Sequence, residues 1–140
     1  MDNDTSTKKH VLIVEDDPDF AALLRSILTQ AGYTVATAYN CEDALNVVRK
    51  QRPDIITLDI HMPRKSGALF YRKLMSDASF REIPVVVVTG LTVDREMGTI
   101  IRSLMETDRI PHPAAYVEKP VDGARLLGTI EEILSPAVPA

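Results

Sequence analysis

Four short stretches of this 140-residue chain carry side chains capable of chemistry. Glu15 and Asp16 close one apolar run, Asp59 closes a second, Thr89-Gly90 a third, and Glu118-Lys119-Pro120 a fourth. Brought together, Glu15, Asp16, Asp59, Thr89 and Lys119 would combine three carboxylates, a hydroxyl and a single ammonium. Carboxylates held close raise one another's pKa, and one lysine does not offset three of them. A divalent cation resolves that conflict. The donors are all oxygen, with no His or Cys cluster, which selects Mg²⁺ over zinc. A cation held in this way invites a phosphate.

The elements that must position these residues alternate along nearly the whole chain. His10 to Val14 is a compact apolar run, followed by Pro18 and by Phe20, Leu23, Leu24, Ile27, Leu28 and Ala31 at helical spacing. Gly32 supplies the stop. Tyr33 to Ala38 reads as a second strand, and Asn40 caps a helix carrying Ala44, Leu45, Val47 and Val48 that Pro53 terminates. Ile55 to Asp59 is a third strand, and the loop Ile60 to Gly67 leads into a helix with Leu69, Phe70, Leu74 and Met75. Pro84 introduces the strand Val85 to Val88, and a helix is predicted over Asp94 to Glu106 with Met97, Ile100, Ile101, Leu104 and Met105 as its apolar stripe. Ala114 to Glu118 is a fifth strand and Val121 to Leu134 a fifth helix.

Five strand–helix pairs imply an α/β fold, a doubly wound five-stranded parallel sheet with helices on both faces, its strands apolar throughout. Right-handed crossovers place the C-terminal ends of all strands along one edge, where ligands of open sheets bind. The chemistry-bearing residues all fall at that edge. Asp17 and Asp19 read as helix caps. No helix begins immediately after Asp59, so capping does not account for it.

Composition bounds the rest. The length fits one domain of about 100–150 residues, and 45% apolar with 26% charged residues is a globular balance. Sixteen basic against twenty acidic residues leave a net charge of −4, and Lys8-Lys9, Arg64-Lys65 and Arg72-Lys73 are scattered. That excludes a clustered cationic footprint for nucleic acid. No apolar run approaches the roughly 18–20 residues that cross a bilayer. The polar start, Met1 to Lys9, has no signal-like apolar segment, and Cys41 stands alone as a small residue near a helix start, so a reducing cytoplasm is expected. The expected organisation is a tail over 1–9, a domain over 10–134 and a tail over 135–140.

The stretches Val11-Leu12-Ile13-Val14-Glu15-Asp16-Asp17-Pro18, Leu58-Asp59-Ile60-His61-Met62-Pro63, Val88-Thr89-Gly90 and Glu118-Lys119-Pro120 occur in order on the predicted strand ends. In that combination the chain resembles, over about residues 10–134, the receiver domains of two-component response regulators, with their CheY-like, flavodoxin-like (βα)5 fold. The resemblance implies a phosphorylation-dependent signalling switch, not a turnover enzyme. Asp59 would accept a phosphoryl group from the phosphohistidine of a sensor histidine kinase or phosphotransfer protein. Asp16 and the His61 backbone carbonyl would ligate Mg²⁺ with Asp59, and Glu15 would orient metal-bound water. Thr89 would hydrogen-bond the phosphoryl group, Lys119 would pair with it, and Gly90 would leave it room. Pro120 would form the cis peptide that the family uses beside its lysine. Tyr116 would be the aromatic switch residue, turning inward as Thr89 moves and altering the surface for a downstream protein. His61 would be exposed near the acyl phosphate, and Leu91 would shield that phosphate from water.

One departure from the family's pattern is the 30 residues from Thr89 to Lys119, a longer spacing than usual, with Pro111-His112-Pro113 where a short turn is expected. Two prolines favour an extended segment there. Two other functions are carried forward. A phosphorylation-independent interaction module would need no intact pocket. An aspartyl-nucleophile phosphatase would want a second carboxylate two residues after the nucleophile, where His61 stands. A stand-alone receiver and a piece of a longer regulator both remain open.

Overall fold

Consecutive valines, isoleucines and leucines, apolar on both sides of the pleat, form strands where helices cover both faces. The computed structural model, which describes residues 8–59, 66–89 and 111–135, places such runs at the centre of the molecule. They form β1 (His10–Val14), β2 (Thr34–Ala38), β3 (Ile55–Asp59), β4 (Val85–Thr89) and β5 (Ala115–Glu118). All neighbours pair in parallel, in the order β2-β1-β3-β4-β5. The described helices are α1 (Pro18–Gln30), α2 (Cys41–Lys50), α3 (Ser66–Ser76) and α4 (Gly123–Leu134). The expected doubly wound sheet is therefore present, and the helix predicted over 94–106 lies outside the described residues.

Alternation along each strand divides the core into two layers. On one face Leu12, Val14, Ile56, Leu58, Val85 and Val87 meet Ala44 and Val48 of α2 and Phe70, Tyr71 and Leu74 of α3. On the other, Val11, Ile13, Ile55, Val86 and Val117 meet Ala21, Leu24 and Leu28 of α1 and Leu126 and Ile130 of α4. The central strands β1 and β3 are buried at every position. The edge strands are not: β2 and β5 leave residues exposed or half-buried. An edge strand has a neighbour on one side only, so its side chains are less covered.

Helix ends follow local chemistry. The Asp17 carboxylate accepts from the backbone N–H of Asp19 and Phe20, and Pro18 occupies the first turn of α1. Asp19 is thus an acidic residue of that turn and not a cap, because Asp17 already fills the role. Gly32 follows the helix with φ of 98°, a left-handed conformation that glycine adopts without strain. Asn40 caps α2 by accepting from Asp43 N–H at 2.8 Å. The last helix starts at Gly123, two residues later than expected, because Asp122 caps it.

Register sets the functional edge. Val14 pairs with Leu58, Asp59 with Val88 and Thr89 with Glu118, so the C-terminal ends of β1, β3, β4 and β5 lie level. The segment Pro111 to Pro113 carries no helix, as its prolines predict. It is held from the other layer by Tyr71, whose hydroxyl donates to the Pro111 carbonyl.

Within α3 the buried stripe includes Phe70 and excludes its neighbour Leu69, which is 47% exposed. Replacing Phe70 with Ala should lower the unfolding free energy by about 3–5 kcal/mol, a buried aromatic's cavity cost. Leu69→Ala should stay within about 0.5 kcal/mol of the parent, as surface changes do. Urea titration of the two variants against the parent checks this difference between adjacent residues.

Candidate functional site

At the level edge β1 and β3 are neighbours, while the chain leaves them toward opposite sides of the sheet, a topological switch point where open sheets bind ligands. Glu15 and Asp16 follow β1 directly, and Asp59 is the last residue of β3. One carboxylate oxygen from each of Glu15, Asp16 and Asp59 lies within 4.8 Å of the others. Glu15 is 1% exposed and Asp59 4%, whereas Asp16 faces solvent.

Lys119, immediately after β5, reaches across this edge. Its Nζ donates to Asp59 Oδ2 at 3.3 Å and lies 3.8 Å from Glu15 Oε1. The Lys119 side chain is 32% exposed, so it links the buried carboxylates to solvent. The Lys119–Pro120 peptide is cis, in agreement with the resemblance. The ammonium also lies 4.5 Å from the centroid of the Phe20 ring, a cation–π distance. Sequence reading counted Phe20 only among the apolar positions of its helix. A ring on the first turn after Pro18 gives no pairwise signal for a lysine about a hundred residues away.

Glu15 is held unevenly. Its Oε2 accepts from the Asp17 backbone N–H at 3.1 Å, while its Oε1 is buried without a hydrogen-bond partner among the described residues. Burial pushes the Glu15 carboxyl up from 4.5 to about 8, with the hydrogen bond to Asp59 and the charge of Asp59 acting in the same direction. The Asp17 N–H and the Lys119 charge oppose the shift. A buried acceptor oxygen that no donor among the described residues satisfies by a hydrogen bond, facing two further carboxylates, is what a hard cation with oxygen ligands would complete. The donor set therefore fits Mg²⁺.

The remaining expected residues are placed unequally. Thr89 ends β4 beside Glu118, but its side chain lies outside the described residues, as do His61, Gly90 and Leu91. Tyr116 sits on β5 three residues before Lys119 and is 52% exposed. Cys41 opens α2 half-buried, and burial pushes its thiol up, which fits the inert reading.

A family model described as the response regulator receiver domain matches residues 11–131. The chain belongs to this family. Its receiver domain is 33% identical over 129 residues to the polar-differentiation response regulator DivK of Brucella anthropi, covering 92% of this chain and 98% of that protein. It is 34% identical over 129 residues to the protein PilH of Pseudomonas aeruginosa, covering 89% and 97%. Among solved structures, the receiver domain of the sensor histidine kinase PA1611 from Pseudomonas aeruginosa PAO1 superposes with a TM-score of 0.75 at 23% identity, covering 90% of this chain and 97% of that one. That likeness concerns the fold, and the structure is described with a magnesium ion coordinated in its active site cleft.

The receiver domain is a phosphorylation-dependent signalling switch, and domains of this family work between histidine kinases or phosphotransfer proteins and downstream targets. Among the described residues, no helix of the receiver domain is long and apolar enough to cross a membrane.

The raised Glu15 carboxyl makes folding pH-dependent. The folded chain keeps a proton that the unfolded chain releases, so rising pH favours unfolding across the window from 4.5 to about 8. The Glu15 contribution is complete below 4.5 and drains away toward 8. Urea titrations of the receiver domain in EDTA should show stability declining through this window, and Glu15→Gln, which carries no titrating proton, should flatten the decline.

Proposed function

We propose that Asp59 is the phosphoacceptor of this receiver domain, with Lys119 as its cationic partner and Glu15 and Asp16 as the acidic pair of a Mg²⁺ site. The observation that carries this reading is the convergence at one sheet edge. The Asp59 carboxylate is almost fully buried, 3.3 Å from Lys119 Nζ, with Glu15 and Asp16 oxygens within 4.8 Å.

A carboxylate oxygen of Asp59 attacks the phosphorus of a phosphohistidine as the phosphorus–nitrogen bond breaks. The departing imidazole nitrogen keeps the electron pair and takes a proton from water, and an acyl phosphate forms on Asp59. Burial fixes the Asp59 carboxylate at the end of a central strand, so little motion is needed for attack. Lys119 neutralises Asp59 before transfer and a phosphoryl oxygen after it. The Phe20 ring holds the ammonium over the pocket. Asp16, Asp59 and the His61 carbonyl would hold Mg²⁺, with the Glu15 carboxylate behind them. When bound, the ion supplies charge neutralisation for the phosphoryl group, the main requirement of phosphoryl transfer. The domain's own catalysis extends to hydrolysis, in which water attacks the phosphorus and restores the Asp59 carboxylate.

The phosphoryl group brings close to two negative charges into the edge. The Thr89 hydroxyl turns toward one of its oxygens, and Tyr116, exposed on the neighbouring strand, rotates into the space released. The surface around β5 then differs between the two states and is read by a downstream protein. The donor is a sensor histidine kinase or phosphotransfer protein, the functional unit spans residues 10–134, and the compartment is the cytoplasm, where a lone thiol such as Cys41 stays reduced. An interaction module indifferent to phosphate gives no reason for Lys119 to reach a buried Asp59.

Incubation with Mg²⁺ and acetyl phosphate should add one phosphate to the intact mass, and Asp59→Asn or omission of Mg²⁺ should abolish the gain. Lys119→Met should slow the gain on the order of a hundredfold, the usual effect of deleting one charge-stabilising donor. An equal gain in the Asp59→Asn chain would refute the assignment.

A further inference from the structure

Away from the acidic edge, the layer built by α2 and α3 carries a cleft of about 810 Å³. Its floor is apolar: Leu45 of α2, Leu69 of α3 and Phe80 of the following turn line it. Leu45 and Phe80 rest against the core beneath, whereas Leu69 projects outward at 47% exposure. Its rim is cationic. Arg49 lies one turn beyond Leu45, and Arg72 and Lys73 lie three and four residues beyond Leu69. All three cations are on exposed residues. Among the described lining residues Asp77 is the one carboxylate, and its Oδ1 accepts from the Ser79 backbone N–H at 2.8 Å within its own turn.

The placement is notable against the whole chain, which carries a net charge of −4. Three cations around an apolar floor are complementary to an apolar stripe flanked by carboxylates. The shape narrows the choice further. Lining residues on α3 recur at positions 69, 72, 73 and 76, the spacing of one helix face, and those on α2 at 45 and 49. Two such faces meeting side by side form a trough that a third helix fits by seating its own apolar stripe between them. The turn after α3 that closes one end is pinned by Arg52, whose guanidinium donates to the Ser79 carbonyl.

We propose that the α2–α3 cleft is a docking groove for an acidic amphipathic helix of a partner protein. Leu69 is the apolar anchor, and Arg49, Arg72 and Lys73 engage the carboxylates beside the partner's stripe. None of the groove's residues belongs to the phosphoacceptor edge, so recognition here is separate from the surface around β5 and does not rest on the roles assigned there.

The test is selection from a phage-displayed library of helix-patterned peptides of about three to four turns, against the full chain. Recovered peptides should combine Leu or Phe at helical spacing with Glu or Asp beside them. Fluorescence anisotropy should show their binding weakened about tenfold or more by Leu69→Glu and by Arg49→Glu with Lys73→Glu, and weakened by added salt. Amide shifts in NMR spectra should move at residues 45–49 and 69–80. Thermal melts matching the parent show that the variants remain folded. Enrichment of basic or uncharged peptides, or of peptides indifferent to these variants, overturns the proposal, as does failure to enrich any. Binding to vesicles containing phosphatidylglycerol that these variants abolish, without peptide binding, would assign the groove to a lipid surface instead. Dimerisation of the chain lost in Leu69→Glu would assign it to a second copy.

Discussion

Two carboxylates, Glu15 and Asp59, sit almost fully buried at the ends of adjacent central strands, and one ammonium, Lys119, serves both. Most of the molecule's functional behaviour descends from that imbalance. Charged groups lose hydration on burial, and two carboxylates side by side also repel. The chain lessens the conflict in part by protonation, seen in the upward shift of the Glu15 carboxyl, and in part by the Asp17 N–H and Lys119. What remains is a pocket whose most favourable occupant is positive. Under the proposed assignment of Asp59 a phosphoryl group needs that charge in place, which couples cation and phosphate by electrostatics.

The sheet enforces this arrangement. A parallel strand order with β1 beside β3 and β4 beside β5 sends every C-terminal end to one edge, and the register leaves no offset for the carboxylates to escape each other. The four valines of β4 pair with β3 on one side, and Val86 to Thr89 pair with β5 on the other, so Asp59 and Lys119 belong to segments anchored to a common strand. Strand ends make the pocket, and flanking segments supply its less buried members: exposed Asp16 after β1 and half-buried Lys119 after β5. The stability given up by burying like charges is recovered elsewhere, in core layers such as Leu12, Leu58, Phe70 and Leu74 on one face.

Much of this was legible in the residues because apolar runs ending in chemistry are a strong signal. The five strands, the caps at Asp17 and Asn40, the stop at Gly32 and the meeting of Glu15, Asp16, Asp59 and Lys119 follow from pattern plus the handedness of crossovers. Boundaries were less legible where a cap competes with an apolar residue, as at Asp122, which delays the last helix past Val121. Partial exposure of the edge strands has no sequence signal, because valine and alanine look alike in central and edge strands. Contacts between distant residues left no trace in spacing. Phe20 over Lys119 and Tyr71 to Pro111 are of this kind, and so is the outward turn of Leu69, which a count of apolar residues on α3 places with its buried neighbours.

The Tyr71 contact bears on how the two layers of the domain communicate. Burial pushes the Tyr71 phenol upward, so its hydroxyl stays protonated and remains a donor to the Pro111 carbonyl. Pro111 to Pro113 lead directly into β5, the strand that carries Tyr116 and precedes Lys119, and Ala114 N–H closes the approach by donating to Val85 at 2.8 Å. The start of β5 is thereby fixed from α3 and from β4, while its far end pairs with β4 at Val88 and Thr89 and leads into Lys119 at the acidic edge. Both ends of β5 are thus tied to other elements, the start to α3 and the end to the acidic edge. The same clamp joins β5 to the helix that forms one wall of the α2–α3 groove. In this receiver domain the helix that shapes the groove and the strand that carries Tyr116 therefore share a hydrogen-bonded anchor.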